Sequence, residues 1–524
     1  MTGALQGFVD LLRRRADAEP DRVFASFEGA SLTFRELDRQ SDSCAATLRR
    51  QGLGRGDRAV VMMRNALAVL PLLFGLAKAG VVWVPANPRQ RGAGLKYLLE
   101  SSTPRLVAAD ADLLPEIAAS GARLEGVPLI ADTAAGGATP LGAILSGDAV
   151  FAEEPPGPSA PFALMYTSGT TGRPKGVEVS HAMLRVAAEA AAIVSAVRPG
   201  DVLFVWEPLF HIGGAQLLAL PLLEEVRLAM VPSFSASRFW EQVRDEKATH
   251  IHYLGGILQM LLKQPPRSDD LTHGVRIAWG GGCPPDIWRL FRQRFGVAIH
   301  ECYGMTETSS IATCNIGGTV GAVGKPLPWF DVVLLGDDGL PAAPGRRGEI
   351  AVRAKRPGAL FAGYLDNAEA TAAAFRDGLF RTGDVGSWDE TGDLHFHGRK
   401  GDSVRCKGEN VSAWEVEHVA AQHPTVEDCA MIGVPSELGE QDIKLFVKPK
   451  PDCEVDPAAL SDWLEERLAP YQNPRYIATV DGFERTPSER IMKHSLSKAT
   501  TDCWDRGARS AVEKFALVSA EMRS

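Results

Sequence analysis

Through its first three quarters the 524-residue chain alternates helix-length stretches with short β-branched or apolar runs. Residues 34–51 carry a helical pattern and lead to a strand-like run at 58–63. Residues 66–79 carry another and lead to Val81-Val82-Trp83-Val84-Pro85. Such alternation predicts a layered α/β architecture with mostly parallel strands, because a parallel pair needs a crossover long enough to hold a helix. From about Asp331 short strands with turn signals take over, as in Val332-Val333-Leu334-Leu335 followed by Gly336-Asp337-Asp338-Gly339. That texture predicts a distorted antiparallel barrel. Beyond a cluster of charges and glycines at 398–402 a βαβ-like pattern returns: helical at 411–422 and 457–468, strand-like at 429–434 and 445–448. The expected organisation is an N-terminal domain over 1–400, barrel-like at about 331–400, and a small mobile α+β domain over 401–524.

Charge and cysteine usage narrow the function classes. Lys plus Arg number 56 against 65 Asp plus Glu, a net charge of −9, so the general basic footprint of a nucleic-acid binder is missing. The longest apolar run, 66–77, is too short for a bilayer, contains Pro71 and ends at Lys78, which predicts a buried helix. The first ten residues lack a basic start followed by a long apolar stretch, so no signal peptide is expected. Eight cysteines are scattered without a Cys-x-x-Cys pair, which predicts reduced thiols rather than a zinc site or a disulfide framework. A cytoplasmic protein without nucleic-acid or membrane partners is expected; a homodimer is compatible with the reading.

The segment Tyr166-Thr167-Ser168-Gly169-Thr170-Thr171-Gly172-Arg173-Pro174-Lys175-Gly176 follows an apolar run at 162–165. Glycines let the backbone turn its N–H groups inward, hydroxyls add donors, and Lys175 supplies a point charge. Together they suit a polyphosphate. The spacing differs from Gly, four residues, Gly-Lys-Ser/Thr, which disfavours a P-loop kinase or GTPase. The bland alternative is a polar loop between a strand and a helix.

This loop resembles the signature of the adenylate-forming superfamily: acyl-CoA synthetases, firefly luciferase and the adenylation domains of peptide synthetases. The look is most that of the carnitine- and medium-chain-type CoA ligases. Further matches follow in the family's order from Leu32 to about Leu496: Leu32-Thr33-Phe34-Arg35-Glu36-Leu37, Leu76-Ala77-Lys78-Ala79-Gly80, Pro208-Leu209-Phe210-His211, Tyr303-Gly304-Met305-Thr306-Glu307, Arg381-Thr382-Gly383-Asp384, then Gly398-Arg399 with Gly408-Glu409-Asn410.

The resemblance implies an ATP- and Mg²⁺-dependent ligase that activates a small carboxylic acid as an acyl adenylate and hands it to CoA. It implies that Lys175 with Thr167 to Gly172 cradles phosphates, Thr306 contacts the α-phosphate and Glu307 holds Mg²⁺. Gly280-Gly281-Gly282 and Tyr303 would sandwich adenine, with Glu301 among the nucleotide-binding residues. Asp384 and Arg399 would hold the ribose, and His211 would gate the acyl site. Gly401 falls at the interdomain hinge, and Gly408 with Glu409 would face the pantetheine channel. Taken alone, Glu307 reads as a helix-start acid, Asp384 and Arg399 as solvated charges, His211 as a core histidine, and the glycines as a turn. The pairs His250/His252 and His395/His397 alternate as strand residues do and are read as structural.

One motif departs. Where the family carries Gly-Lys near the C-terminus, this chain has Glu489-Arg490, so the adenylation cation is Arg490 or, if the stretch is a helical turn, Lys493. Arginine is planar and bulkier, and the exchange is not conservative at a tight phosphate site. Phe234-Ser235-Ala236-Ser237 offers no carboxylate for a substrate α-amine, which disfavours an α-amino acid. His211, Tyr253, Gly255, Gly256, Gly280 and Thr308 are candidates for the acyl pocket. Two rivals stay open: a diazotase of natural-product pathways that adenylates nitrite for attack by an aryl amine, and a nucleotide-binding protein without turnover.

Overall fold

The structure, a computed structural model, describes residues 7–167, 174–343, 345–400, 403–406, 409–436, 441–485 and 491–508. The fold is mixed α/β, with a large N-terminal part and a smaller C-terminal one. Two compact units emerge. The first comprises Met1–Val333, Ala351–Phe380 and Asp389–His395; the second comprises Leu334–Ile350, Arg381–Trp388 and Phe396–Ser524. The segments 334–350, 381–388 and 396–400, expected within the N-terminal domain, thus group with the C-terminal unit.

Two sheets build the first unit. A seven-stranded sheet runs Thr139–Pro140, Leu129–Ala131, Leu106–Ala109, Arg58–Met62, Val82–Pro85, Pro161–Thr167, Lys175–Ser180, parallel except for the last pair. A nine-stranded sheet has a parallel centre of Val23–Phe27, Arg227–Met230, Val202–Val205, His250–Leu254, Ile277–Gly281 and Ala298–Tyr303. The inner strands Val82–Pro85 and Leu106–Ala109 are buried along their whole length, as parallel strands covered on both faces must be.

Local signals explain the helices. Thr33 caps helix Phe34–Arg50: its Oγ1 accepts from Glu36 N at 3.3 Å, while Glu36 Oε2 accepts from Thr33 N at 2.8 Å. The next helix runs Val69–Ala79, three residues shorter than its pattern; Pro71 falls in the first turn, where its missing N–H costs nothing. Gly80 ends it with φ 69°. Fully buried Lys78 donates to Asp38 Oδ1 and Asp42 Oδ1, both at 2.6 Å, and locks the two helices together. A Cβ on Gly75 would lie 2.6 Å from Cys44 Sγ, so that close approach needs glycine. The motif at residues 76–80 is therefore a packing device.

The stretch expected to form a barrel carries a five-stranded sheet, Phe330–Leu335, Gly348–Ala354, Leu379–Trp388, Phe375–Arg376, with Leu394–Arg399 paired to Leu379–Trp388. In the second unit the expected strands are Val426–Pro435 and Gln441–Pro449, paired antiparallel, and helix Pro457–Glu465 leads from the latter to a further strand, Tyr476–Thr479, that pairs parallel with it. The helix read over 411–422 is shorter, Ala413–Ala420. Val411 instead pairs with Val404 in a hairpin of Ser403–Cys406 and Glu409–Ser412, and β-branched Val411 is wholly buried there. Among the described residues no helix is long and apolar enough to cross a membrane, and the eight cysteines are free thiols.

Candidate active site

The hydroxyl- and glycine-rich segment joins two antiparallel strands, not a strand and a helix. Thr167 ends Pro161–Thr167 and faces Lys175, the first residue of Lys175–Ser180. The base of this hairpin is pinned: Tyr97 OH donates to Pro174 O at 3.1 Å, and Tyr166 OH lies 2.8 Å from Ser101 Oγ. A Cβ on Gly176 would lie 2.8 Å from Leu164 Cδ1, so the two strands close tightly at that point. Ser168, Gly169, Thr170, Thr171 and Gly172 lie outside the described residues.

Lys175 and Glu307 meet through a residue the motifs do not contain. The Lys175 Nζ sits 4.9 Å from the ring centroid of Tyr364, whose hydroxyl donates to Glu307 Oε1 at 3.0 Å. Val177 and Tyr364 also pair as an isolated β-bridge, and Leu365 N donates to Gly176 O at 2.8 Å. Phe361 N donates to Glu307 O at 3.0 Å, and the Phe361 ring stacks with Phe375 and packs against Tyr364. Glu307 is 7% exposed and sits in the single 3₁₀ turn Thr306–Thr308, beside buried Thr306. Ser309 and Ser310 follow with φ 50° and 72°. Two adjacent non-glycine residues in the left-handed region mark a strained turn of the kind found at functional sites. Gly304 precedes it, where a Cβ would lie 2.2 Å from Ser310 O.

The triple glycine is demanded by the protein itself. A Cβ on Gly280 would lie 1.8 Å from Tyr253 O, and one on Gly281 3.0 Å from Cys302 O. Glu301, 3% exposed, braces the turn from below: Gly282 N donates to its Oε1 at 2.5 Å, Cys283 N at 3.1 Å, and Tyr253 OH donates to Oε2 at 2.5 Å. Burial pushes the Glu301 carboxyl up to about 7. Its oxygens face the backbone of the turn. Tyr253, expected to line the acyl pocket, is wholly buried and spends its hydroxyl on Glu301; Thr308 is wholly buried and bonds Met305. Tyr303 ends its strand 7% exposed and accepts from Ala312 N at 2.7 Å through its carbonyl.

His211 opens the short helix Ile212–Ala215, with its carbonyl accepting from Gly214 N and Ala215 N at 3.0 and 2.8 Å and its ring 4.7 Å from Phe210. His250 bonds Ser195 O at 2.9 Å, and burial lowers its pKa to about 4. His395 meets Asp389 at 2.9 Å and His397 meets Ser387 at 2.7 Å. His252 bonds Glu207 through Nδ1. Among the described residues no group of three or more His, Cys, Asp or Glu side chains forms a metal cage.

In the second unit Asp384, 4% exposed, and Arg399 come together, with Nε 3.3 Å from Oδ1. Gly383 turns left-handed before Asp384, and Thr382 Oγ1 accepts from Asp384 N at 3.1 Å. Glu409 starts the strand Glu409–Ser412; Gly401, Gly408, Glu489 and Arg490 lie outside the described residues. The helical turn that would let Lys493 share a face with residue 490 includes residues outside those described. Arg485 and Ile491 form an isolated antiparallel bridge, Met492 N donates to Glu484 O at 2.8 Å, and Lys493 opens the 3₁₀ turn Lys493–Ser495. Lys493 Nζ instead sits 2.9 Å from Glu417 Oε1.

Tyr364 and Glu207 escaped the reading by motif. The only signal for Tyr364 is an aromatic in the loop Gly363-Tyr364-Leu365. For Glu207 it is a charge at the end of the apolar run Val202 to Val205.

Comparison with known proteins follows the same lines. Residues 12–365 match the family of AMP-binding enzymes, and residues 415–490 match the AMP-binding enzyme C-terminal domain. A sulfoacetate–CoA ligase of Cupriavidus necator is 32% identical over 499 residues, spanning 93% of this chain and 96% of its own. A feruloyl-CoA synthase of an Amycolatopsis species is 31% identical over 492 residues, spanning 93% and 97%. The o-succinylbenzoate CoA synthetase of Bacillus subtilis, solved with its acyl-adenylate intermediate, superposes with a TM-score of 0.83 at 25% identity, over 94% of this chain and 98% of that one. Solved with ATP and magnesium, it gives 0.82 over 93% and 98%.

Proposed function

Because the chain belongs to the AMP-binding enzyme family and is an adenylate-forming ligase, we propose that it couples a small carboxylic acid to ATP and passes the acyl group to CoA. A carboxylate oxygen attacks the α-phosphorus, the bond to the β,γ-diphosphate breaks, and pyrophosphate leaves. The CoA thiol then loses its proton, attacks the acyl carbon and expels AMP.

The observation that carries this reading is the line from Lys175 through Tyr364 to Glu307 at the base of the hydroxyl–glycine hairpin. The difficulty of the first step is charge, since an anion must approach a polyanion. Lys175 and the loop hydroxyls offset that charge on the phosphate side. Thr306, on the same strained turn as Glu307, offers a hydroxyl to the α-phosphate. Tyr364 holds the Glu307 carboxylate in one orientation. Glu307 is a buried carboxylate that belongs to no cluster of three metal-ligating side chains among the described residues, and such a site suits Mg²⁺, which keeps waters and binds partly through substrate phosphates. Bound there by Glu307, the ion would neutralise phosphate charge. Glu301 acts as a positioning residue that shapes the glycine turn against which adenine lies, with Tyr303 on its other side. The carboxylate of Asp384, oriented by Arg399, accepts from ribose hydroxyls. Arg490 supplies the adenylation cation, a reading supported by the Glu417 ion pair that occupies Lys493. Gly401 serves as hinge to a mobile C-terminal lid, Gly408 and Glu409 face the CoA arm, and His211 gates the acyl side. Eight free cysteines support a reducing, cytoplasmic setting.

The relatives named above are ligases of carboxylic acids, which gives the nitrite-adenylating alternative no support. Pyrophosphate release and acyl-CoA formation, measured over a panel of carboxylic acids with and without CoA, test the proposal. Acid-dependent pyrophosphate with AMP, and a thioester only when CoA is added, is expected. ATP consumption with nitrite and an aryl amine, but with no acid, would overturn it.

A further inference from the structure

A second buried polar pair lies at the carboxyl ends of the same parallel strands, where open α/β sheets bind their ligands. Glu207 stands two residues past strand Val202–Val205 and is 1% exposed. Its Oε1 meets Nδ1 of His252, itself 4% exposed and on the neighbouring strand His250–Leu254. Its Oε2 is buried and meets no hydrogen-bond donor among the described residues. Both partners are held in place. Asn65 Nδ2 donates to Glu207 O at 2.9 Å and Asn65 Oδ1 accepts from Leu209 N at 3.2 Å, while Trp206 Nε1 donates to His252 O at 2.9 Å. The His252 ring stands edge-on to Trp279, centroids 4.3 Å apart.

A rigid, desolvated carboxylate with one oxygen unsatisfied is a net cost to folding. Its place is not arbitrary. Glu207 leads directly into Pro208 to His211, and a Cβ on Gly213 would come within 3.9 Å of His252 Cε1, so the turn after His211 passes over the imidazole. We propose that Glu207 is the specificity determinant of the acyl site: Oε2 accepts a hydrogen bond from a hydroxyl or amine carried by the substrate acid, and His252 is the positioning residue that orients it. With no carboxylate at residues 234–237 for an α-amine, the donor sits elsewhere on the acid. A site that desolvates an acceptor for such a donor rejects the analogue lacking it, because the acceptor then stays unpaired. The inference rests on the acid-activating reading above.

The test uses the full-length protein and acyl-sulfamoyl adenosines, unreactive mimics of acyl adenylates, in matched sets: benzoyl with its hydroxy and amino derivatives, and pentanoyl with its 5-hydroxy and 5-amino derivatives. Calorimetric Kd values are measured for wild type, Glu207→Gln, Glu207→Leu and His252→Asn, with sulfamoyl adenosine lacking an acyl group as control. In at least one set the donor-bearing mimic should bind wild type tenfold or more tightly than its parent. Glu207→Leu should erase that ratio while the control binds unchanged. Should the leucine variant fail to fold, isosteric Glu207→Gln must still narrow the ratio at least threefold. His252→Asn should narrow it without abolishing binding of the parent. No preference in any set, or a preference that survives Glu207→Leu, overturns the inference. So does an equal weakening of every mimic, which marks a structural role. Binding of ATP with no acyl mimic bound at all would instead bring down the acid-activating reading itself.

Discussion

Tyr364 carries no charge, yet it links the cation and the acid on which the proposed chemistry depends. Tyr364→Phe keeps the ring beneath Lys175 and removes only the hydroxyl 3.0 Å from Glu307. A lost hydrogen bond to a charged group is worth about 1.5–3 kcal/mol. We therefore expect kcat/KM for MgATP to fall at least about tenfold, with thermal stability nearly unchanged, as steady-state kinetics and a melting curve will show. Arg490 is separated from Lys493 by the same logic. Arg490→Ala should lower adenylate formation by about 10²-fold, the scale of removing one stabiliser of developing charge. Lys493→Ala should cost mainly stability, because its charge already faces Glu417. Equal adenylation by both variants would remove the assignment. At this scale the sequence was legible wherever a residue sits in a motif. It was silent on Tyr364, whose role comes from a β-bridge to Val177 across 187 positions of sequence, and on Glu207, whose partner His252 arrives on another strand.

Elements show why some motif residues are indispensable for reasons other than ligand contact. Gly280→Ala would drive a methyl group to 1.8 Å from Tyr253 O, with backbone on both sides. Overpacking of that severity should cost about 3 kcal/mol or more, read as a fall in denaturation midpoint. Glu301 gives a pH test. Burial raises its folded-state value to about 7, from an ordinary 4.5, so the native state holds a proton that the unfolded chain has released between those values. Stability from this group is full below pH 4.5 and is lost as pH rises to 7, a difference of about 3 kcal/mol. Wild type should show that decline in urea titrations, and Glu301→Gln should be flatter over the same window. A parallel decline in both would show that the proton resides elsewhere. Periodicity placed the strands and helices it read to within a few residues, because buried parallel strands and capped helices carry local signals. It failed at 411–412, where burial of Val411 in a hairpin outweighs helical continuation.

At the scale of the whole molecule, the candidate residues divide between two compact units. Lys175, Glu307, Tyr303 and the glycine turn belong to the first; Asp384, Arg399 and Lys493 belong to the second. Alternation of helix and strand announced the layered sheets, yet no local pattern could announce that 334–350, 381–388 and 396–400 group with the C-terminal unit, since compactness is a property of distant contacts. The proposed chemistry has one signature that no component residue can mimic. With an acid labelled by ¹⁸O in its carboxylate, ATP and CoA, attack of the carboxylate on the α-phosphorus leaves one labelled oxygen behind when the thiol expels the nucleotide. Mass spectrometry of the products should find a single ¹⁸O atom in each AMP formed and none in pyrophosphate; label in pyrophosphate or phosphate, or unlabelled AMP alongside thioester, would contradict the account.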